Sequence, residues 1–474
     1  MPDIAIVPAP RELVIEEGRW VSSDPLAEAV RTVVENLGET EYRIDVTADG
    51  ARLSAGSEDA LRWAEQTYEQ LLDAAEPAED GAVAVPAVRI ADAPAFGWRG
   101  VMLDVARHFM PKEFVLKILD VLALHRMNVL HLHLTDDQGW RVQIDAFPKL
   151  TELGSQRPET MVGKMSHGQT EFTYDGTPHG GFYTKDELRE IVAHAAERGI
   201  TVVPEIDLPG HMQAAISAYP ELGNHPDQQI GVRQVWGISD DVLNVSDATV
   251  DFVRTVLREV LEIFPAPYIH LGGDECPADQ WRESEAAQAR QAELGLTDAG
   301  QLQGWFTEQV AAVLTEDGRR LVGWDEMVET DCPKDAVIMA WRSAGRGEVA
   351  AKAGHDVVMA PCESVYFDYY QADPATEPLA IGGFIPLEAV YDFEVIPKGL
   401  TEEEAARIVG TQCQIWTEYM EGPDQVGYML LPRLSAFAER AWGSPKTSYD
   451  EFLTRLRPHL TRIERIGVNY RPLD

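Results

Sequence analysis

The sequence predicts an α/β chain, a (β/α)8 TIM barrel preceded by a small α+β N-terminal domain, and three observations carry this prediction. From Gly97 onward, short apolar runs alternate with amphipathic stretches. The runs are continuously apolar, as strands buried on both faces of a parallel sheet must be. Residues 1–95 instead interleave β-like runs and helical patterns on a smaller scale.

In the first segment the β-like runs are Ile4–Val7, Arg43–Val46 and Ala82–Ile90. A helix is expected over Leu26–Leu37. A second is expected over Glu58–Leu72, where Leu61, Ala64, Tyr68 and Leu71 or Leu72 share one face. Asp92–Phe96, with Pro94, reads as the boundary. The expected domains are therefore an accessory α+β domain over 1–95 and a barrel over 96–474 that includes a C-terminal helix.

In the second segment the expected strands are Gly100–Asp104, Val129–Leu134, Thr201–Ile206, Tyr268–Leu271, Arg320–Trp324, Ala336–Trp341, Val357–Ala360 and Cys413–Trp416. Helical patterns occupy Lys112–His125, Lys185–Arg198, Thr249–Phe264, Leu302–Glu316, Gly347–Ala353 and Pro432–Trp442. Pro111 suits a helix start and Gly199 a helix end. The fifth and seventh connections have weak helix signals, so irregularity is expected there. Polar and aromatic residues follow nearly every run, and in a barrel those strand ends converge on the face where active sites sit.

Composition removes several classes. The net charge of −39 is spread along the chain and opposes binding to nucleic acid or to anionic membranes. No apolar run approaches the ~18 residues of a membrane span. The N-terminus lacks a basic stretch followed by an apolar one, so a cytoplasmic location is expected. Cys276, Cys332, Cys362 and Cys413 form no CxxC pair, which speaks for reduced thiols rather than a zinc or redox motif.

The chemistry concentrates at His270-Leu271-Gly272-Gly273-Asp274-Glu275. Strand neighbours point to opposite faces, so both acids reach one pocket only if the chain has left the strand. The two glycines allow that turn. Adjacent carboxyls raise each other's proton affinity, which suits a general acid acting on a glycosidic oxygen. A bare GGDE is equally compatible with a solvated turn. Trp324, Trp341 and Trp416 at strand ends, and Tyr366 just beyond another, tip the balance toward a sugar pocket. Arg107 could fork onto two hydroxyls, and Asp368 and Glu418 could accept hydroxyl hydrogen bonds.

Six segments, in order, carry a resemblance: GWRGVMLDVARHF (Gly97–Phe109), NVLHLHLTDDQGWR (Asn128–Arg141), VVPEIDLPGH (Val202–His211), HLGGDE (His270–Glu275), VGWDE (Val322–Glu326) and QIWTE (Gln414–Glu418). The chain resembles glycoside hydrolase family 20, the β-N-acetylhexosaminidases, over most of residues 97–445. That resemblance implies exo-hydrolysis of terminal β-linked N-acetylglucosamine or N-acetylgalactosamine from an oligosaccharide or glycoconjugate. The implied mechanism is retaining and substrate-assisted. Glu275 is implied as acid–base catalyst and Asp274 as the group that orients the substrate's acetamido. Arg107 is implied to bind ring hydroxyls; Trp324, Trp341 and Trp416 to wall the acetamido pocket and the sugar face; and Tyr366 to bond the acetamido carbonyl. Asp368 and Glu418 are implied to hold the non-reducing-end hydroxyls. Asp136 and His211 are implied as a pair supporting Glu275. No metal, no cofactor, no nucleic acid and no membrane is expected, and a homodimer is compatible with such a chain.

Three alternatives stay open at this point. A family member could release a disaccharide, as a lacto-N-biosidase does. The His131-x-His133 pair resembles the opening of a metal-dependent amidohydrolase barrel, although core histidines satisfied by hydrogen bonds read better. A catalytically inert sugar-binding barrel is the third. Cys276 beside the acid pair raises sensitivity to alkylation as an expectation, and the loop Gly223–Asn244, with Trp236, is expected to shape the aglycone side.

Overall fold

The computed structural model describes residues 4–473 apart from 167 and 331. Eight parallel strands close into a barrel in chain order: Trp98–Asp104, Val129–His133, Thr201–Glu205, Tyr268–His270, Arg320–Trp324, Val337–Ala340, Asp356–Met359 and Ile408–Ile415. The last pairs with the first, from Gly410 opposite Trp98 to Ile415 opposite Leu103. The eighth strand starts at Ile408, ahead of the expected Cys413. Its first half, Ile408-Val-Gly-Thr-Gln, mixes apolar with polar residues and so carries no apolar-run signal.

Helices Lys112–Leu124, Lys185–Glu197, Asp247–Leu261, Gln301–Glu316 and Ala344–Lys352 cover the barrel. Lys185–Glu197 opens on a capping box in which the Thr184 side chain accepts from Glu187 N–H and Glu187 reaches back. It ends at Gly199, whose φ of +67° a side chain would resist. Among the described residues, the fifth connection holds only a 3-10 turn, Asp325–Glu329, and the seventh only short helices such as Leu387–Asp392. Both irregularities match expectation.

The N-terminal sheet runs in the order Glu12–Ser22, Val83–Asp92, Tyr42–Thr47, Gly50–Ala55, Val30–Val33. Helix Glu58–Leu72 packs on it through Ala60, Trp63, Ala64, Thr67, Tyr68 and Leu71. The expected helix Leu26–Leu37 is a correction: only Pro25–Glu28 is helical, and Val30–Val33 is a strand paired with Arg52–Ala55. The β-branched run Val30-Arg-Thr-Val fits a pleated partner better than a helix. Ile4–Val7 is not a strand either. Strand Glu12–Ser22 shows no clean alternation in sequence because its register breaks between Ile15 and Arg19, around Gly18.

The two parts meet over buried polar contacts. Asp92 accepts from the Arg126 guanidinium at 2.9 Å, Tyr42 Oη at 2.7 Å and Trp442 Nε1 at 3.0 Å. Arg126 also lies over the Trp442 ring at 4.3 Å. Among the described residues, no helix is long and apolar enough to cross a membrane.

Candidate active site

The upper barrel interior is polar, and strand register makes it so. Asp104 pairs with His133, His133 with Glu205, and Glu205 with His270, placing one row across four neighbouring strands. All four side chains are fully buried. His131 and His133 are thus core histidines, hydrogen-bonded or ion-paired to their neighbours.

Above this row the fourth strand ends and the chain turns. Gly272 and Gly273 take φ of +62° and +96°. A Cβ on Gly272 would stand 1.7 Å from Asp207 Oδ1, so no larger residue fits. The Gly273 N–H donates to that same Asp207 oxygen at 3.1 Å. Glu275 follows at φ +45° and His211 sits at φ +52°, unusual values for residues with side chains. The strained pair faces each other: His211 Nε2 lies 3.7 Å from Glu275 Oε2 and 3.9 Å from Asp274 Oδ2.

One cavity gathers the expected groups. Asp274, Glu275, Arg107, Trp341, Tyr366, Asp368, Trp416 and Glu418 line it, joined by Tyr369 and Ile381. Trp341 and Tyr366 stack at 6.1 Å with rings 22° apart. Arg107 lies 4.8 Å over Trp416 and pairs with Asp136 at 2.8 Å. Three candidates stand behind the lining. Trp324 is 1% exposed, backs Trp416 at 5.9 Å and gives its indole N–H to Glu205 at 2.9 Å. Asp136 and His211 are joined at 3.2 Å beneath the acid pair. Trp236, in the loop Gly223–Asn244, packs against His108 and Tyr419 and lines a neighbouring cavity of about 340 Å³ that shares Glu418 with this one.

The electrostatics separate these acids. Burial pushes the Asp274 carboxyl up to about 6; cationic His211 opposes that and Glu275 adds to it. Burial likewise raises Asp368, with Glu418 adding, and raises Glu418 against the pull of Arg107. Among the described residues, Asp274 Oδ1, Asp368 Oδ1 and Glu418 Oε2 have no hydrogen-bond partner, so buried acceptors converge on the cavity. Burial alone would lower the His211 ring, but Asp136, Asp137 and Glu275 hold it well above the ordinary histidine range. Burial raises the Cys276 thiol, so it stays protonated and poorly nucleophilic at neutral pH.

Sequence reasoning passed over Glu326. It accepts the Trp341 indole N–H at 2.9 Å, and burial, with Asp274 next, raises it to about 8. Its place beside Trp324 at a strand end was the available signal.

Comparison with known proteins places the chain in one family. The description "Glycosyl hydrolase family 20, catalytic domain" matches residues 96–445, and "Glycosyl hydrolase family 20, domain 2" matches 16–93. A β-hexosaminidase of Porphyromonas gingivalis is 39% identical over 464 residues; the match spans 97% of this chain but only 58% of that protein. A β-hexosaminidase of Vibrio furnissii is 39% identical over 417 residues, spanning 87% of this chain and 67% of that one. The crystal structure of an exo β-N-acetylglucosaminidase from Vibrio harveyi, in complex with N-acetylglucosamine, superposes with a TM-score of 0.87 at 31% identity. That match covers 99% of this chain and 78% of that one.

Proposed function

The chain belongs to glycosyl hydrolase family 20, and from that premise we propose that it is an exo-acting β-N-acetylhexosaminidase. Its substrate is the terminal β-linked N-acetylglucosamine or N-acetylgalactosamine of an oligosaccharide or glycoconjugate. The observation that carries this reading is the single cavity shared by Asp274, Glu275, the Trp341–Tyr366 stack, Trp416 and the acceptors Asp368 and Glu418.

The proposed steps follow from the groups present. The ionised Asp274 carboxylate accepts the acetamido N–H and turns the acetamido oxygen toward the anomeric carbon. That oxygen forms a bond to the carbon while the glycosidic C–O bond breaks. Glu275 gives its proton to the departing oxygen. The resulting oxazolinium-like ring is opened by water, whose proton returns to Glu275. Neither acid is the nucleophile, which explains why the two are neighbours rather than facing across the sugar. Trp416 and Trp341 supply apolar faces for the ring and the acetamido methyl, and Tyr366 a hydroxyl for its carbonyl. Asp368, Glu418 and Arg107 close the cavity behind one sugar, which favours release of a monosaccharide over a disaccharide.

Release of a chromophore from an aryl N-acetyl-β-glucosaminide tests this. Glu275→Gln should lower turnover by about 10²–10⁴-fold, the usual worth of a general acid. An unchanged rate would contradict the assignment.

A further inference from the structure

Beneath the acid pair lies a hydrogen-bonded chain that the proposed steps do not use. Its centre is His133, which is fully buried. Its Nδ1 is 2.5 Å from Glu205 Oε2 and its Nε2 is 2.7 Å from Asp136 Oδ2. A neutral imidazole has one N–H; its other nitrogen is an acceptor and cannot face a carboxylate oxygen. A ring between two ionised carboxylates must therefore carry both protons.

The surroundings support that charge. Glu205, on the third strand, accepts the Trp324 indole N–H on its other oxygen at 2.9 Å. His131, on the same strand as His133, also reaches Glu205 at 3.0 Å, but burial lowers its ring to about 4, so it stays neutral. Burial would lower His133 too, yet Glu205 and Asp136 hold it well above the ordinary range. The Trp416 ring meets it edge-on at 4.9 Å. From Asp136 the chain continues to His211, at 3.2 Å, with Arg107 bound to the same carboxylate and Asp137 beside the ring at 3.4 Å. His211 then faces Asp274 and Glu275.

We propose that His133 holds a permanent imidazolium between Glu205 and Asp136 and, through Asp136 and His211, is a positioning residue that sets the proton affinity of Glu275. The acid–base step is then tuned from the barrel core. This rests on the reading of Glu275 given above, but the charge itself can be tested apart from it.

The sign follows from charge. Removing the buried cation leaves Asp136 and Glu205 less neutralised, so nearby carboxyls bind protons more tightly. Glu275 becomes a weaker acid. His133→Gln should move the alkaline limb of kcat/KM upward by at least about half a pH unit. It should also slow an alkyl glycoside, whose leaving oxygen needs a proton, at least about tenfold more than a nitrophenyl glycoside. A folded variant with an unmoved limb and equal losses on both substrates overturns the proposal. Nitrogen NMR of the wild-type protein supplies the second arm and needs no variant to fold. At about pH 8 one deeply buried histidine besides His211 should show both ring nitrogens protonated, and Glu205→Gln should remove that signal. Absence of such a histidine also overturns it. If Glu275→Gln keeps full activity while the doubly protonated ring is seen, the reading of Glu275 fails and the His133 charge stands.

Discussion

Asp274 stands in a cavity that raises its affinity for a proton to about 6, above the ordinary aspartate value near 3.9. The ionised form is the stronger acceptor for an amide N–H, so turnover should fall as pH drops through about 6. Stability runs the other way. A carboxyl whose folded value is raised binds its proton more tightly in the folded state, so stability is lost as pH rises from about 4 to about 6. Asp274→Asn, which never ionises, should be crippled in turnover yet more stable near pH 8, on the order of 1–3 kcal/mol, with little gain near pH 4. Melting curves at the two pH values check this, and a gain that does not grow with pH contradicts it. Glu326→Gln bears on the neighbouring wall. Above about pH 8, where Glu326 is ionised, the amide holds the Trp341 indole less well than the carboxylate, so KM should rise about 2–10-fold with a smaller change in kcat, and the rise should shrink below that pH. Steady-state kinetics on the aryl substrate decide it. At this scale the sequence exposed the groups that end strands, such as Asp274, Trp416 and Glu418. It hid those whose partners come from distant strands. Glu205 and His133 are 72 residues apart, and nothing local marks them as bonded.

The turn after the fourth strand is the element on which the site depends. Gly272 has no room for a Cβ against Asp207, and its φ of +62° disfavours one. Gly272→Ala should cost about 1–3 kcal/mol and displace the acid pair, so turnover falls more than stability does. Denaturant unfolding beside kinetics separates the two losses; an alanine variant with normal activity contradicts this account of the turn. Barrel strands were legible because parallel strands buried on both faces read as apolar runs, as in Arg320–Trp324. Elements whose form depends on pairing were not. Val30–Val33 has helical spacing around it but a strand partner in Arg52–Ala55, and tertiary pairing prevails over local pattern.

For the molecule as a whole, the N-terminal sheet and the barrel share Asp92, Arg126 and Trp442 at their junction. Arg126→Met leaves the Asp92 carboxylate buried without its cation and should cost about 3–5 kcal/mol. Because the junction lies at the helix side of the barrel, near Leu124 rather than the strand ends, KM of the surviving folded fraction should be unchanged. Thermal melting and kinetics on that variant test both statements, and a KM that shifts with the lost stability contradicts the second. The central claim, that the substrate's own acetamido group is the nucleophile, has a more direct test. It is the ratio of turnover on an aryl N-acetyl-β-glucosaminide to turnover on the same aryl β-glucoside without the acetamido group. The account predicts rapid hydrolysis of the first and almost none of the second; comparable rates on both would contradict it.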